Sequence, residues 1–200
     1  NNQIRSRLLY RDEELSGGDQ IMVVRNNYFW LPENQKVSFI ANGDMAKVVR
    51  VRREEERYGL RFAEVNLDFL DFPEVGTITC KVILDTIQAE TPNLPYEKSK
   101  QLFDGLMEDY SHLSNKRDKM EAIKQDPYYN ALQIKFAYAV TCHKAQGGQW
   151  DAVFVDQGYL TDEMIDLDFM RWLYTAVTRA KKELFLVNFA QNLYATTQEE

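Results

Sequence analysis

Two segments near the C-terminus limit what this chain can fold into: AYAVTCHKAQGGQWDAVFVD (137–156) and WLYTAVTRAKKELFLV (172–187). Each couples an apolar, strand-like run to a polar or basic turn. The first reads as strand 136–140, then T-x-H-K-x-Q-G, then a second strand. The second reads as a helix over 168–178, then T-R-A-K-K, then a strand from about Glu183. From Gln133 onward the order is therefore strand, helix, strand, helix, strand, the βαβ pattern of a parallel sheet covered by helices. Sheets of that kind gather ligand-binding groups where strands end and helices begin. Two such junctions within about fifty residues read as one working site.

The middle of the chain has a different rhythm. Residues 2–10 suit a short helix with Ile4, Leu8 and Leu9 at helical spacing. Ser16-Gly17-Gly18-Asp19 breaks it, Ile21 to Val24 form a short buried-type strand, and Asn26-Asn27 turns the chain. From 32 to 94 short strands alternate with turns, at 37–40, 46–53, 61–69 and 77–84, with Asn42-Gly43-Asp44 and Tyr58-Gly59 as tight-turn signals. Four or five short antiparallel strands in that space predict a small barrel, SH3-like or OB-like. Pro92 and Pro95 end it. Residues 96–113 and 116–124 then read as helices, with Leu102, Phe103, Leu106 and Tyr110 on one face.

The expected organisation is an α/β layer split by an insertion. Residues 1–31 and 133–200 form the layer. Residues 32–132 form the insertion, with the barrel over about 32–94 and the helices over about 96–125.

Charge restricts the possible partners. Twenty-four basic and 31 acidic residues leave a net charge of −7, which argues against coating nucleic acid through bulk charge. A local basic groove remains compatible, because the C-terminal third holds Lys135, His143, Lys144, Arg171, Arg179, Lys181 and Lys182. The charged runs at 50–61 and 97–124 read as solvated surface. Two cysteines far apart, Cys80 and Cys142, suggest neither a disulfide framework nor zinc, so a reducing cytoplasm is expected. With only His112 and His143, no histidine metal centre is expected. No apolar run nears the roughly 18 residues of a membrane span, and no signal-peptide core is seen at the start. The first residue is not Met, which suggests a fragment or a processed chain. No G-x-x-x-x-G-K-[ST] loop occurs, and neither Asp12-Glu13-Glu14 nor Asp162-Glu163 follows a strand as a magnesium-holding pair would.

TCHKAQGGQWDAVFV resembles motif V of superfamily 1 helicases, and YTAVTRAKKELFLV resembles motif VI. The T-x-H-K-x-Q-G form is most similar to the UvrD-like/RecD-like branch (the exodeoxyribonuclease V alpha-subunit type), as are GDQIMVVRNNY (18–28) and ANGDMAKVV (41–49). The resemblance covers roughly a third of the chain. It implies the second RecA-like domain of a P-loop NTPase, without the P-loop itself, carrying an inserted SH3-like barrel. It also implies a parent ATP-dependent DNA helicase, with ATP and magnesium held mainly by an upstream RecA-like domain. Single-stranded DNA, that upstream domain and a repair or recombination complex are the implied partners.

By the same resemblance Arg179 is the arginine finger, a planar, permanently charged fork suited to a phosphoryl group gathering charge. Gly147 lies near the γ-phosphate. Gln149 stands where many relatives have a ribose-binding Glu, which weakens the case for tight ribose recognition. Thr141 and His143 contact single-stranded DNA, with Lys144 and Asn26 as further phosphate contacts. Plainer readings stand beside these. Arg179 can complement a helix C-terminus, His143 can be structural, the glycine pair can be a turn, and Asn26-Asn27 can shape a turn. Tyr28, Phe29 and Trp30 read as packing, and Trp150 and Phe154 as core or wall. The helicase fragment is expected to be inactive alone. The alternative is a non-enzymatic nucleic-acid-binding or partner-docking module derived from a helicase domain.

Overall fold

The computed structural model describes residues 1–31, 37–190 and 193. The chain forms two compact units, Asn1–Ala139 and Val140–Glu200. The fold is mixed α/β, with a closed five-stranded barrel and helices. The insertion boundary expected at residue 32 lies outside the described residues.

In the first unit, β1 (Gln20–Val23), β2 (Met45–Arg57), β3 (Leu60–Phe69) and β4 (Ile78–Ile83) run as an antiparallel meander. A fifth strand, β5 (Leu132–Phe136), pairs antiparallel with β1 and parallel with β4, closing the barrel. Alternation explains β3: Ala63, Val65, Leu67 and Phe69 share the face that enters the barrel core, while Leu60 and Phe62 lie on the opposite face, which the helical segment covers. In β2 only Ala46 and Val48 are buried. Register shifts at Val48/Arg50 and Val51/Arg53 bend that strand. Its outer half, largely exposed, continues as one strand of a hairpin arm whose other strand packs on the helical segment. The arm turns at Tyr58-Gly59, where both residues take positive φ (55° and 65°), as a type I′ hairpin turn demands.

The barrel is therefore built differently from the expectation. Ile21 to Val23 and the strand near Gln133, both assigned to the C-terminal sheet, supply two of its five strands. Periodicity identified these segments as buried strands but carries no information about their partners. The strand expected at 37–40 is reduced to a single bridge, Asn27 to Ile40.

The helical segment lies between β4 and β5: α1 (Asp85–Gln88), α2 (Tyr96–Asp109) and α3 (Lys116–Lys124). Leu102 and Leu106 are buried against Leu60, Phe62, Ile83 and Ile123, with Phe103 and Tyr110 packed beside them. The predicted apolar face is thus the one that packs. Asn115 caps α3 by accepting from Arg117 N.

At the N-terminus the expected helix is a π-helical turn, Ile4–Leu8, and its buried residue is Arg5. Leu8 is 69% exposed. Asp19 explains the inversion. This carboxylate is wholly buried and accepts from Arg5 Nε (3.0 and 3.1 Å), Arg11 Nη1 (2.8 Å), Tyr138 Oη (2.6 Å) and Ser16 N (2.7 Å). A buried charge needs partners of this kind, and their geometry outweighs the pull of Leu8 and Leu9.

The second unit contains one βαβ crossover: β6 (Trp150–Asp156), α4 (Leu167–Val177) and β7 (Ala180–Val187). The strands are parallel, with Phe154 opposite Phe185. Asp166 caps α4 by accepting from Phe169 N at 2.9 Å. Two strands replace the three expected, because β5 belongs to the barrel. Phe154 is not a core residue: it is 70% exposed and stacks on Phe185 with ring centroids 4.6 Å apart. The strand expected at 136–140 ends at Phe136.

Candidate functional site

Arg179 follows the last turn of α4, and its guanidinium is held from three sides. Nε donates to Thr175 O (2.9 Å), Nη1 to Gly148 O (3.1 Å) and Nη2 to Thr178 Oγ1 (3.0 Å). Thr175 and Thr178 precede it by four and one residues, so the helix itself presents two of these acceptors. The third comes from the turn before β6. There Gly147 adopts φ +86°, a conformation that suits glycine. Gly148 lies under the Trp150 ring, where an added Cβ would come within 2.4 Å of Trp150 Cη2.

The two sequence junctions thus meet. Gln149 Nε2 donates to Thr178 O at 3.4 Å, and Trp150 N donates to Arg179 O at 2.9 Å. Gly147, Gln149 and Arg179, expected to share a nucleotide site, lie on one β6–α4–β7 junction. Arg179 is directed at two backbone carbonyls and a threonine hydroxyl within this junction, in keeping with the helix-terminus role given as its plainer reading.

His143 and Lys144 lie in a single 3-10 turn, Cys142–Ala145, and Thr141 immediately precedes it. Thr141 O accepts from Lys144 N (2.9 Å) and Ala145 N (3.1 Å). Ala145 is buried, while the side chains of Thr141, His143 and Lys144 are all exposed. The turn is fastened to α4 by Cys142, whose Sγ lies 3.5 Å from Trp172 O. Burial pushes the Cys142 thiol up, and the nearby Arg179 charge opposes that shift. Cys142 as an anchor was missed in the sequence, where the residue carries no signal beyond its place inside the motif. Two of the three Arg179 acceptors, Thr175 O and Thr178 Oγ1, could have been found from the T-x-x-T-R spacing.

Not all the basic residues of this region are available to a ligand. Arg171 pairs with Asp168 and Lys182 with Asp151, each at 2.8 Å, and Lys135 reaches Ala89 O within the barrel unit. Among the described residues, no three His, Cys, Asp or Glu side chains cluster as a metal site, and no helix is long and apolar enough to cross a membrane.

Asn26 belongs to the barrel unit. Its Oδ1 accepts from Asn42 N at 2.8 Å, joining two turns. The neighbouring Asn27 accepts from Phe29 N (3.0 Å) and Trp30 N (3.4 Å) and donates to Asn130 O (2.8 Å). Phe29 and Trp30 pack edge to face, while Tyr28 projects outward, 71% exposed. Of the three consecutive aromatics read as packing, one is therefore a surface residue.

The family described as UvrD-like helicase C-terminal domain matches residues 136–187, about a quarter of the chain, including all of β6, α4 and β7. No curated protein matches the chain. Among solved structures, the chain is similar to the Pif1 helicase from Candida albicans, with 19% identity and a TM-score of 0.42. The match covers 92% of this chain and 34% of the helicase, so the chain spans about a third of that protein's length.

Proposed function

We propose that this chain is the C-terminal part of an ATP-dependent superfamily 1 DNA helicase of the RecD-like branch. The observation that carries the reading is the meeting of the Gly147–Gly148 turn with Arg179 at one βαβ junction, inside the segment that matches the helicase family. In this reading the second unit is part of the second RecA-like domain, and the barrel is an SH3-like insertion. A two-stranded parallel sheet with exposed aromatic faces supports that part of the proposal, since parallel sheets are normally covered on both sides.

ATP would be held mainly by an upstream RecA-like domain, together with its magnesium ion. Gly147 and Gln149 would line the near side, and Arg179 would supply charge to the transferred phosphoryl group. The residues present fit only a supporting role, offering one guanidinium, an amide and a glycine turn. Thr141, His143 and Lys144 have exposed polar side chains suited to backbone phosphates, and repair or recombination partners remain part of the proposal. The chain by itself is expected to hydrolyse no ATP.

The test uses the full-length parent and measures ATP hydrolysis stimulated by single-stranded DNA. Arg179→Ala should lower the stimulated rate by about three or more orders of magnitude, as loss of an arginine finger does. A variant that keeps its stimulated rate refutes the role of Arg179. A wild-type parent that binds single strands without stimulated turnover points instead to a non-enzymatic binding module derived from a helicase domain.

A further inference from the structure

Asn42 and Gly43 form the single Asn-Gly pair of the sequence. Asparagine is among the chemically labile residues, and the residue after it decides how labile. The backbone nitrogen of that next residue can attack the side-chain Cγ and expel ammonia, which closes a succinimide ring. Glycine places no side chain beside the attacking nitrogen. The surroundings of Gly43 are open as well, since an added Cβ would meet no described atom within 4 Å. Asn42 is half-buried and lines an open cleft of the barrel unit, so water reaches it.

The folded turn opposes this reaction. Gly43 N, the nucleophile, donates to Val23 O at 2.8 Å and is thereby engaged at the end of β1. Gly43 takes φ +109° at the third position of the turn Ala41–Asp44, which Asp44 N closes by donating to Ala41 O at 3.2 Å. The Asp44 side chain ties the turn again, accepting from Ala41 N at 2.7 Å. Asn42 N donates to Asn26 Oδ1 at 2.8 Å, and Val23 N donates to Asp44 O at 2.9 Å. The labile pair is thus sewn to β1 and to the turn at Asn26 by its own backbone.

We propose that Asn42 is a deamidation site gated by this turn: it is modified when the turn opens and protected while Gly43 N stays bonded to Val23 O. Gly43 N gives its proton to solvent base and bonds to Asn42 Cγ. The bond from Cγ to the side-chain nitrogen breaks, and that nitrogen takes up a proton and leaves as ammonia. Water then opens the succinimide at either carbonyl, giving aspartate or isoaspartate, and nothing is oxidised or reduced. Either product places a carboxylate in the same turn as Asp44. That turn is a poor place for further negative charge: burial, and less strongly the charge of Asp71, push the Asp44 carboxyl up against the hydrogen bond from Ala41 N. Isoaspartate also lengthens the backbone between the Asn27–Ile40 bridge and β2. The modified turn therefore closes less well than the original.

The test incubates the 200-residue chain in mildly alkaline buffer and follows every asparagine by peptide mapping with mass spectrometry. In urea, Asn42 should be the first asparagine modified. In the folded chain its rate should be at least about tenfold lower, the protection that one hydrogen bond supplies. Asp44→Ala removes the bond from Ala41 N without touching the Asn-Gly pair, and should raise the folded-state rate about tenfold. If that variant does not fold, wild type at rising sub-denaturing urea takes its place: the rate at Asn42 should climb in step with exchange of the Gly43 amide hydrogen. Earlier modification of another asparagine in urea overturns the choice of site. Equal rates in the folded and unfolded chain, an unchanged rate in folded Asp44→Ala, or a rate independent of Gly43 exchange overturns the gate.

Discussion

Replacing Asp19 by Asn tests what fastens the N-terminal turn to the barrel. The variant keeps the shape of the side chain but removes its charge, and it turns one acceptor into a donor that faces other donors. Arg5 is then left buried with no carboxylate, a change that costs about 3–5 kcal/mol when a buried pair loses one member. Arg11 is partly exposed and can turn to water, so its pairing adds little to the loss. The lower end, about 3 kcal/mol, is the expected effect near neutral pH. Hydrogen exchange followed by mass spectrometry reads it for the barrel alone, in peptides covering β1 and β5. Protection there should fall roughly a hundredfold. The pH dependence has a definite sign. Burial would raise the Asp19 carboxyl, but hydrogen bonds from Arg5, Tyr138, Arg11 and Ser16 hold it below its ordinary value of 3.8. Its contribution is therefore complete above about pH 4 and is lost as pH falls through the lower, folded-state value. Wild type and Asp19→Asn should converge in strongly acid solution. A loss of protection under about fivefold at neutral pH would refute this account of the clamp.

Thr86 and Gly105 test the barrel seam and the hairpin tip. Thr86 is fully buried, and its Oγ1 accepts from Ile134 N at 3.0 Å and lies 2.7 Å from Ile83 O. The parallel β4–β5 ladder beside it has only two register pairs. Thr86→Val should lower stability to urea by about 1–3 kcal/mol, the cost of an unmade buried hydrogen bond. A Cβ on Gly105 would sit 2.4 Å from Tyr58 Cδ1, and Tyr58 is held in place by its 2.6 Å hydrogen bond to Asp109. Gly105→Ala should therefore lower the Tm despite the better helix propensity of Ala. In a Tyr58→Ala background Gly105→Ala should be nearly harmless, and simple additivity of the two would count against the contact.

Elements whose partners are close in sequence were legible. The β2–β3 hairpin follows from alternation and from Tyr58-Gly59, α2 from the spacing of Leu102 and Leu106, and α4 and β7 from the change of period around Arg179. Barrel closure was not. Ile21 and Ile134 announce buried strands, yet nothing in either says that the two strands pair across more than a hundred residues. The burial of Arg5 was hidden for a related reason. Its side chain turns inward only because Asp19, Arg11 and Tyr138 converge from three separate segments. At the candidate site, the residue types and their meeting were legible, since both junctions lie within one βαβ unit. The bond from Arg179 to Gly148 O, 31 residues away, was not.

The hydrogen bonds of Arg179 bear on its proposed role. Three neutral acceptors, Thr175 O, Gly148 O and Thr178 Oγ1, now satisfy a guanidinium that would have to face a phosphate. Bonds to charged oxygens are roughly twice as strong as bonds between neutral groups, so a phosphate could compete for the fork despite this engagement. The exchange would not be confined to Arg179. Releasing Nη1 frees Gly148 O, in the turn that carries Gln149 and leads back to His143 and Lys144. In a helicase, nucleotide contact at Arg179 and strand contact at Thr141 and His143 would then be linked through one short loop. Coupling of two sites requires an element with two arrangements that both ligands bias. The Gly147–Gly148 turn, held at one side by Arg179 and at the other by the Cys142 anchor, has the connections for that part. If the coupling runs through it, Gly148→Ala in the parent should weaken the stimulation of ATP hydrolysis by single strands more than it weakens strand binding. Equal loss of both would mean that the turn supports the site without linking its two ligands.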